Sequence, residues 1–389
     1  MLYIIRFYLF CNINKILDYI CRFLFKRPNR KIDLLLIKLD AIGDFIVWQD
    51  SLRAYKENYA DKKVILICNS AVKDIALLDT FFHEVWEFNR HKFIYSCKYR
   101  FFFIKQLRSV FWKEVISPVF SREYHYSDRV VQLTLSSNKV GYDGDLSNIS
   151  LKQKKRSDYY YTNMIENNSF TTSELLINAY FVRSLFKSNF IANLPVLSIC
   201  CIESNPLVDG KYAVLSLSAS YSARSWSTEN FAKITDSIPF EYRIVLLGYG
   251  KGDIEKGDVF LHSVLHPNRV VNLIDKTSVV EMVRIIGGAS LVIGNDSSAV
   301  HIAAASRVPS ICIAPGAHYN RFVPYPKTIS ESFYHPRVVA NLMSCFGCNY
   351  KCCYPILEQL ECIRLVSVSM VVTELNNLLS ELNIKCYGR

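Results

Sequence analysis

The sequence predicts an α/β protein made of two doubly wound lobes, each built on a parallel sheet. The chain has 389 residues, which is more than one ordinary core requires and enough for two. Two successive series of strand and helix patterns run along it, and their strands are continuous apolar runs. Such runs are typical of parallel strands that are covered on both faces and bind ligands at their carboxyl ends. We therefore expect two Rossmann-like lobes with a ligand-binding cleft between them.

The first lobe is predicted over residues 31–200. A strand over residues 31–38 leads through a glycine-containing turn, Leu39–Asp44, into a helix. Further apolar runs that predict strands lie at residues 64–68, 85–88, 114–116 and 139–142. Residues 144–160 are polar and predict a loop, and a helix over residues 173–186 precedes a weak linker.

The pattern restarts in the second lobe, which is predicted over residues 201–365. Its strands are apolar runs at residues 212–217, 242–247, 270–273, 291–294 and 310–313. Helical stretches begin at Glu229, Ser278 and Ala299. Residues 366–389 predict a C-terminal helix.

Residues 1–30 form an N-terminal arm ahead of the first lobe. Charged residues interrupt every apolar run before it reaches the ~20 residues of a membrane span. Apolar side chains nevertheless recur at helical spacing beside cations, at Ile13, Ile16, Leu17, Ile20, Phe23 and Leu24. Two interpretations stay open: an amphipathic helix in a membrane interface, or an extra helix packed on the first lobe.

The formal net charge of +11 indicates an anionic partner. Nucleic acid, an acidic lipid surface and a phosphorylated substrate all satisfy it. A basic, aromatic stretch over residues 90–113 fits the docking of an anionic acceptor or of nucleic acid.

Most of the 13 cysteines are interpreted as reduced, buried residues, because the chain is large. Four of them form a local cluster that could hold structural zinc or iron: Cys345, Cys348, Cys352 and Cys362.

A polar turn follows the predicted strand at residues 291–294 and opens an alanine-rich helix. Backbone N–H groups at a helix N-terminus bind phosphate, and Ser297 and Ser298 would add hydroxyl donors. Asp296 would repel phosphate, so we expect it to cap the helix or to accept hydrogen bonds from sugar hydroxyls. His301 lies one turn further along. Taken alone, this turn favours a plain helix cap with a core histidine.

Two more loops of the second lobe follow predicted strands. The loop from Ser218 to Trp226 carries Ser220 and Arg224, whose cation could clamp a diphosphate. Taken alone, it favours a solvent-exposed arginine. The glycine-rich loop that begins at Gly248 has neither the dinucleotide-binding fingerprint nor the Walker A pattern, so it indicates only close backbone approach to a nucleotide.

In the first lobe, Gly43 and Asp44 lie at the turn between strand and helix. Glycine permits the tight turn, and a carboxylate placed there could take a proton from an incoming hydroxyl. An acid that interacts with the helix dipole is an equal alternative.

Together these segments resemble the bacterial heptosyltransferase family, glycosyltransferase family 9, which transfers heptose in lipopolysaccharide synthesis. The resemblance covers about residues 31–365 and keeps the family's order of motifs. Its segments are Lys38–Asp44, Ser51–Ala54, Leu215–Ser220, Arg224–Trp226, Asn272–Ser278 and Asn295–His301.

The resemblance implies a GT-B fold and an inverting transfer of heptose from ADP-heptose to a lipopolysaccharide core or related saccharide acceptor, with no metal or other cofactor required. Asp44 matches the catalytic base and Arg224 the diphosphate-binding cation. The other substrate-binding residues that it implies are Gly43, Ser218, Ser220, Gly248, Thr277, Asp296, Ser297, Ser298 and His301. Ser218, Asp275 and Ser298 stand where the family usually has glycine, which leaves the exact donor open.

We expect a cytoplasmic enzyme, peripheral on the inner membrane, that binds a nucleotide sugar, a lipid-linked saccharide and an anionic membrane surface but no nucleic acid. One alternative is a transferase that uses another nucleotide sugar or a protein acceptor. Another is a non-catalytic basic protein that binds membrane or nucleic acid. Steep salt dependence of nucleic-acid binding would favour the last, and saturable binding of a nucleotide sugar would favour a transferase.

Overall fold

The computed structural model describes residues 2–166, 171–197 and 208–387. The chain divides into two compact units, each with one six-stranded sheet, so the prediction of a two-lobed α/β fold is confirmed. The first unit comprises Met1–Phe45, Ser51–Thr171 and Ile177–Ile191, and the second comprises Ile46–Asp50, Thr172–Leu176 and Ala192–Arg389.

The first sheet consists of parallel strands with a buried centre. Its strands are β1 (Arg30–Lys38), β2 (Val64–Asn69), β3 (Glu84–Phe88), β4 (Val110–Ser117), β5 (Lys139–Tyr142) and β6 (Asn163–Ile165). They pair in the order β3-β2-β1-β4-β5-β6. Every residue of β1 from Leu34 to Lys38 is buried, as expected for a strand that is covered on both faces.

Helices alternate with these strands along the chain. They are α1 (Leu2–Leu24), α2 (Ile42–Asn58), α3 (Lys73–Ala76), α4 (Arg90–Tyr95), α5 (Cys97–Arg108), α6 (Ser127–Leu133), α7 (Leu151–Asp158) and α8 (Glu174–Phe186). The prediction of a loop throughout residues 144–160 is wrong, because α7 lies within that segment. This helix begins with a capping box in which Ser150 and Gln153 each bond the other's backbone N–H.

The N-terminal helix α1 is packed on the first unit through polar as well as apolar side chains. Asp18 is only 1% exposed and accepts hydrogen bonds from Arg100 (Nε, 2.6 Å) and Arg129 (Nε, 2.6 Å). Asn14 Nδ2 donates to the carbonyl oxygen of Ile94 at 2.9 Å. Two arginines on one buried carboxylate compensate its desolvation, so this face of α1 is fixed to α4, α5 and α6.

The apolar positions predicted to share one face of α1 divide between two faces. Leu17 packs against the core of the first unit and therefore does not contribute to the exposed face that the interfacial interpretation requires. The other positions are 38–66% exposed: Ile13, Ile16, Ile20, Phe23 and Leu24. In the described ranges, no helix combines the length and the apolar character that a membrane span requires.

The second sheet repeats the architecture of the first. Its strands are β7 (Tyr212–Ser216), β8 (Arg243–Leu247), β9 (Val270–Asn272), β10 (Leu291–Asn295), β11 (Ser310–Ile313) and β12 (Arg337–Val339). They are parallel and pair in the order β12-β11-β10-β7-β8-β9. Counted from the first strand of each unit, both sheets therefore have the order 3-2-1-4-5-6 of a doubly wound fold.

The helices of the second unit cover this sheet. They are α9 (Thr228–Ile234), α10 (Lys251–Ser263), α11 (Val279–Gly287), α12 (Ser298–Ala305), α13 (Glu361–Arg364) and α14 (Val368–Tyr387). Side chains from α9, α10, α13 and α14 join those of the strands in one apolar core. The N-terminal and C-terminal parts of this unit's sequence thus share one core.

Candidate functional site

The carboxyl ends of β7 and β10 lie side by side at the centre of the second sheet. The strands that follow β7 extend the sheet to one side, and those that follow β10 extend it to the other. In doubly wound sheets, this topological switch point is where ligands bind. The predicted site residues Arg224 and Asp296 lie in the segments that leave these two strands, so the fold brings them together.

Arg224 and Asp296 form an ion pair at this switch point. Arg224 Nη2 donates to Asp296 Oδ2 at 2.8 Å and to the Asp296 carbonyl oxygen at 3.0 Å, and Nη1 donates to Ser220 Oγ at 3.2 Å. Both side chains are largely buried, with 14% and 8% exposure. Arg224 is therefore not the solvent-exposed arginine that the loop alone favoured, and its charge is held in a fixed orientation.

The buried side chain of Asn295 holds the two segments in register. Its Nδ2 donates to the carbonyl oxygen of Leu217 at 2.9 Å, and its Oδ1 accepts from the backbone N–H of Trp226 at 2.8 Å. Gln359 Nε2 also donates to the carbonyl oxygen of Ser225 at 2.8 Å. Both ends of the loop that carries Arg224 are thus tied to the end of β10.

The N-terminus of α12 is not closed by a side-chain cap. Ser297 is the N-cap residue, but its side chain accepts no capping hydrogen bond, and Asp296 pairs with Arg224 instead. Of the two roles that the sequence left open for Asp296, the ion pair takes the place of helix capping. Ser297 Oγ is buried and lacks a hydrogen-bond partner among the described residues, and Ser298 follows as the first residue of the helix. The turn keeps a hydroxyl and a helix N-terminus next to the ion pair.

His301 is a buried residue of α12 that bonds to another side chain. It is 3% exposed, and its Nδ1 lies 2.9 Å from the hydroxyl of Tyr325. Burial lowers the pKa of His301, against the opposing effect of the Asp296 carboxylate. The imidazole is therefore expected to be neutral at pH 7, so that it can position a ligand by hydrogen bonding but not by charge.

Lys256 of α10 is a cation at this site that the sequence did not single out. Its Nζ donates to Ser218 Oγ at 2.9 Å and to Ser225 Oγ at 3.0 Å. Burial lowers the pKa of Lys256. Ser218 stands where the resembled family has glycine, and its hydroxyl supplies one of the two oxygens that bind this ammonium. No local sequence signal connects residues 30 or more positions apart.

Gly248 directly follows β8, and Thr277 lies in the turn between the neighbouring strand β9 and α11. Between them, Asp275 has a left-handed φ of 59°, and its backbone N–H donates to the carbonyl oxygen of Gly248 at 3.0 Å. Asp275 Oδ1 accepts from the N–H of Gly250 at 3.1 Å. Aspartate tolerates this conformation better than most residues, which explains how the turn forms where the resembled family has glycine.

Gly43 and Asp44 belong to the first unit, where they form part of the first turn of α2. They follow β1, which pairs with β4 at the centre of the first sheet. The two residues therefore lie at the switch point of their own sheet. Ala41 is the N-cap of α2 and offers no side-chain acceptor, so a carboxylate in this turn also interacts favourably with the helix dipole.

The C-terminal cysteines are near neighbours. Desolvation and the neighbouring thiols of Cys353 and Cys348 raise the pKa of Cys345. Desolvation and the thiols of Cys348, Cys362 and Cys345 raise the pKa of Cys352. Cys362 is buried, and its Sγ accepts from the backbone N–H of Gly316 at 3.4 Å. Within the described ranges, no group of three or more His, Cys, Asp or Glu side chains is arranged to hold a metal ion.

The chain is similar in sequence to known glycosyltransferases. The profile of glycosyltransferase family 9 (heptosyltransferase) matches residues 113–333. Lipooligosaccharide heptosyltransferase 2 of Campylobacter jejuni is 26% identical over 180 residues, which are 45% of this chain and 54% of that protein. The chain thus spans about half the length of the curated relatives that it matches.

Solved structures with the same fold cover most of the chain. The E. coli heptosyltransferase WaaC with ADP-2-deoxy-2-fluoro heptose has a TM-score of 0.66 at 15% identity, covering 89% of this chain and 99% of WaaC. The dodecameric iron-containing heptosyltransferase TibC of enterotoxigenic E. coli, in complex with ADP-D-beta-D-heptose, has a TM-score of 0.50 at 14% identity, covering 91% and 78%. Identities this low show a shared fold, which is the predicted GT-B fold.

Proposed function

This chain belongs to glycosyltransferase family 9, and we propose that it transfers heptose from ADP-heptose to a saccharide acceptor of the lipopolysaccharide core. The observation that carries this proposal is the pair of Arg224 and Asp296 at the switch point of the second sheet. A guanidinium with a fixed orientation next to a helix N-terminus suits a diphosphate leaving group. The ADP-heptose complexes of similar structures and the lipooligosaccharide heptosyltransferase relative suggest the donor and the acceptor class.

The proposed reaction is an inverting displacement at the anomeric carbon of the donor sugar. The acceptor oxygen bonds to that carbon, the carbon–oxygen bond to the diphosphate breaks, and the proton of the acceptor hydroxyl moves to Asp44. ADP leaves with the electron pair of the broken bond. Arg224 and the N-terminus of α12 supply positive charge for the diphosphate, so the transfer requires no metal ion in this proposal.

We propose that residues Ser220, Ser297 and Ser298 add hydroxyl donors around the diphosphate, while the carboxylate of Asp296 accepts from sugar hydroxyls. Neutral His301 would hydrogen-bond to the same ligand. The ends of β8 and β9, with Gly248 and Thr277, would approach the nucleoside through their backbone, as the tight turn at Asp275 suggests. Ser218 acts in this scheme through Lys256, which it helps to hold.

The outward face of α1 supports the proposal that the enzyme works at the cytoplasmic surface of the inner membrane. Along its centre, apolar side chains are 45–76% exposed: Ile5, Leu9, Ile16, Tyr19, Ile20 and Phe23. An α-helix turns by ~100° per residue, which places the exposed cations Lys15 and Arg22 at one margin of this face and the exposed Arg6 at the other. A mainly apolar centre, in which Asn12 is the polar exception, with basic margins suits a helix lying on an anionic bilayer, where lipid-linked acceptors are found.

A donor panel tests the proposed function directly. Purified protein is incubated with acceptor saccharide and with ADP-, GDP-, UDP- and CDP-sugars, and release of each nucleotide is measured. We expect ADP release from ADP-heptose to be the fastest. Asp44→Asn should lower that rate by ~10²–10⁴ while ADP binding stays near wild type. No turnover with any donor would refute the transferase proposal, and an active Asp44→Asn variant would refute Asp44 as the base.

A further inference from the structure

A cysteine-rich turn, residues 345–353, packs directly against the second unit's candidate site. The backbone N–H of Gly347 donates to the carbonyl oxygen of Gly316 at 2.8 Å, and that of Asn349 donates to Ala317 at 3.2 Å. A Cβ added to Gly316 would lie 2.2 Å from the ring of Phe346, so this close approach requires glycine. The turn is thus seated on the segment that follows β11.

The seated turn presents Tyr350 to Arg224. Asn349 and Tyr350 both have left-handed φ angles, of 46° and 61°. Asn349 Oδ1 lies 2.7 Å from His318 Nε2. The rings of Tyr350 and His318 pack edge-on, with their centres 4.9 Å apart. The Arg224 guanidinium lies over the Tyr350 ring, with its carbon 5.4 Å from the ring centre. Two successive residues thus have an uncommon backbone conformation, and side-chain contacts fix both of them. The surrounding structure therefore holds Tyr350 in place despite the cost of that conformation.

Three buried polar atoms around this pair have no hydrogen-bond partner among the described residues. They are Arg224 Nε, Ser297 Oγ and Tyr350 Oη. Buried polar groups in native proteins are nearly always paired, and each one left unpaired costs about 1–3 kcal/mol. All three atoms carry a proton to donate. Three unused donors beside a fixed cation match a ligand that is rich in anionic oxygens, such as a diphosphate.

We propose that Tyr350 is a donor-binding residue whose hydroxyl donates a hydrogen bond to a phosphate oxygen of the nucleoside diphosphate. This inference rests on the proposed function and adds to it a residue from beyond the profile-matched segment. Desolvation raises the pKa of Tyr350 to about 12 despite the opposing effect of Arg224. The phenol therefore keeps its proton at neutral pH and can serve as a donor. Its ring meanwhile supports the face of the guanidinium that it contacts.

Tyr350→Phe removes only the hydroxyl and keeps the ring over Arg224. Its ADP affinity and thermal midpoint are compared with those of wild type and of Tyr354→Phe, a control at a 42% exposed tyrosine that directly follows the cysteine-rich turn. We expect the Kd for ADP to rise about tenfold or more, because a hydrogen bond to a charged group is lost. The thermal midpoint should stay equal or rise, because an unpaired buried hydroxyl is removed. The control should match wild type in both.

The outcomes separate this inference from the function on which it rests. If wild type does not bind ADP, the proposed function fails, and binding of GDP or UDP in its place would show a different donor. If wild type binds ADP and Tyr350→Phe binds it within about twofold, the inference about Tyr350 is wrong. A Tyr350→Phe variant that loses thermal stability along with affinity would also overturn it, since the hydroxyl would then have a structural partner.

Discussion

Replacement of Asn295 by alanine tests whether the loop after β7 must be fixed to the end of β10 for donor binding. Asn295 is fully buried and makes both of its hydrogen bonds with backbone groups at the two ends of that loop, Leu217 and Trp226. Alanine leaves one carbonyl and one N–H buried without partners. At about 1–3 kcal/mol for each, the free energy of unfolding should fall by about 2–6 kcal/mol.

The same substitution should weaken ADP binding, because Arg224 would no longer be held at the switch point. Loss of one charge-assisted contact corresponds to about a tenfold rise in Kd or more. Urea denaturation and calorimetric titration with ADP measure the two effects, with Asn377→Ala at an exposed position of α14 as the control. A destabilised variant that binds ADP like wild type would refute the positioning role. A variant with unchanged stability would refute the hydrogen-bond geometry itself.

Further substitutions test the donor cation, the outward face of α1 and the cysteines separately. Arg224→Ala should raise the Kd for ADP about tenfold to a hundredfold, and near-wild-type binding would show that Arg224 does not contact the diphosphate. The double variant Ile16→Glu with Phe23→Glu should bind anionic vesicles about a hundredfold or more weakly in flotation. The control double variant on α10, Ile254→Glu with Val259→Glu, should bind like wild type. Equal recovery of both double variants on vesicles would refute membrane docking through α1. Elemental analysis should find far less than one zinc or iron per chain in active protein, and about one bound ion would show that the C-terminal cysteines form a metal site.

The sequence predicts the alternation of strands and helices well because continuous apolar runs carry that information. The sequence does not predict elements whose stability comes from features other than apolar runs. α7 has almost no apolar periodicity, and it begins at a capping box whose Ser150 and Gln153 are three residues apart. That spacing is a helix-start signal that would have revealed the helix. The strands β6 and β12 have three residues each and lie at sheet edges, and among edge strands of this length only β9 was predicted.

The residues of the candidate site also divide into those that the sequence identifies and those that it misses. Arg224, Asp296 and Ser297 are identified from sequence because they follow strands that are themselves recognisable. Lys256 and Tyr350 are missed because each reaches the site through a contact that is distant in sequence: Lys256 with Ser218, and Tyr350 with Arg224. Neither residue belongs to a local pattern with chemical meaning. Only the packing of α10 and of the cysteine-rich turn against the loops brings them near.

The ion pair also explains how a phosphate-binding site can contain an acidic side chain. An isolated Asp296 would repel a diphosphate, but its Oδ2 and its carbonyl oxygen both bind Arg224 Nη2. The pair is neutral overall, and the Nε edge of the guanidinium is left without a partner among the described residues. A carboxylate that orients the cation, together with a donor edge that remains available, allows Arg224 to meet the diphosphate without first breaking its ion pair. Binding then requires little reorganisation at this residue, which is the condition under which a fixed charge stabilises a leaving group best.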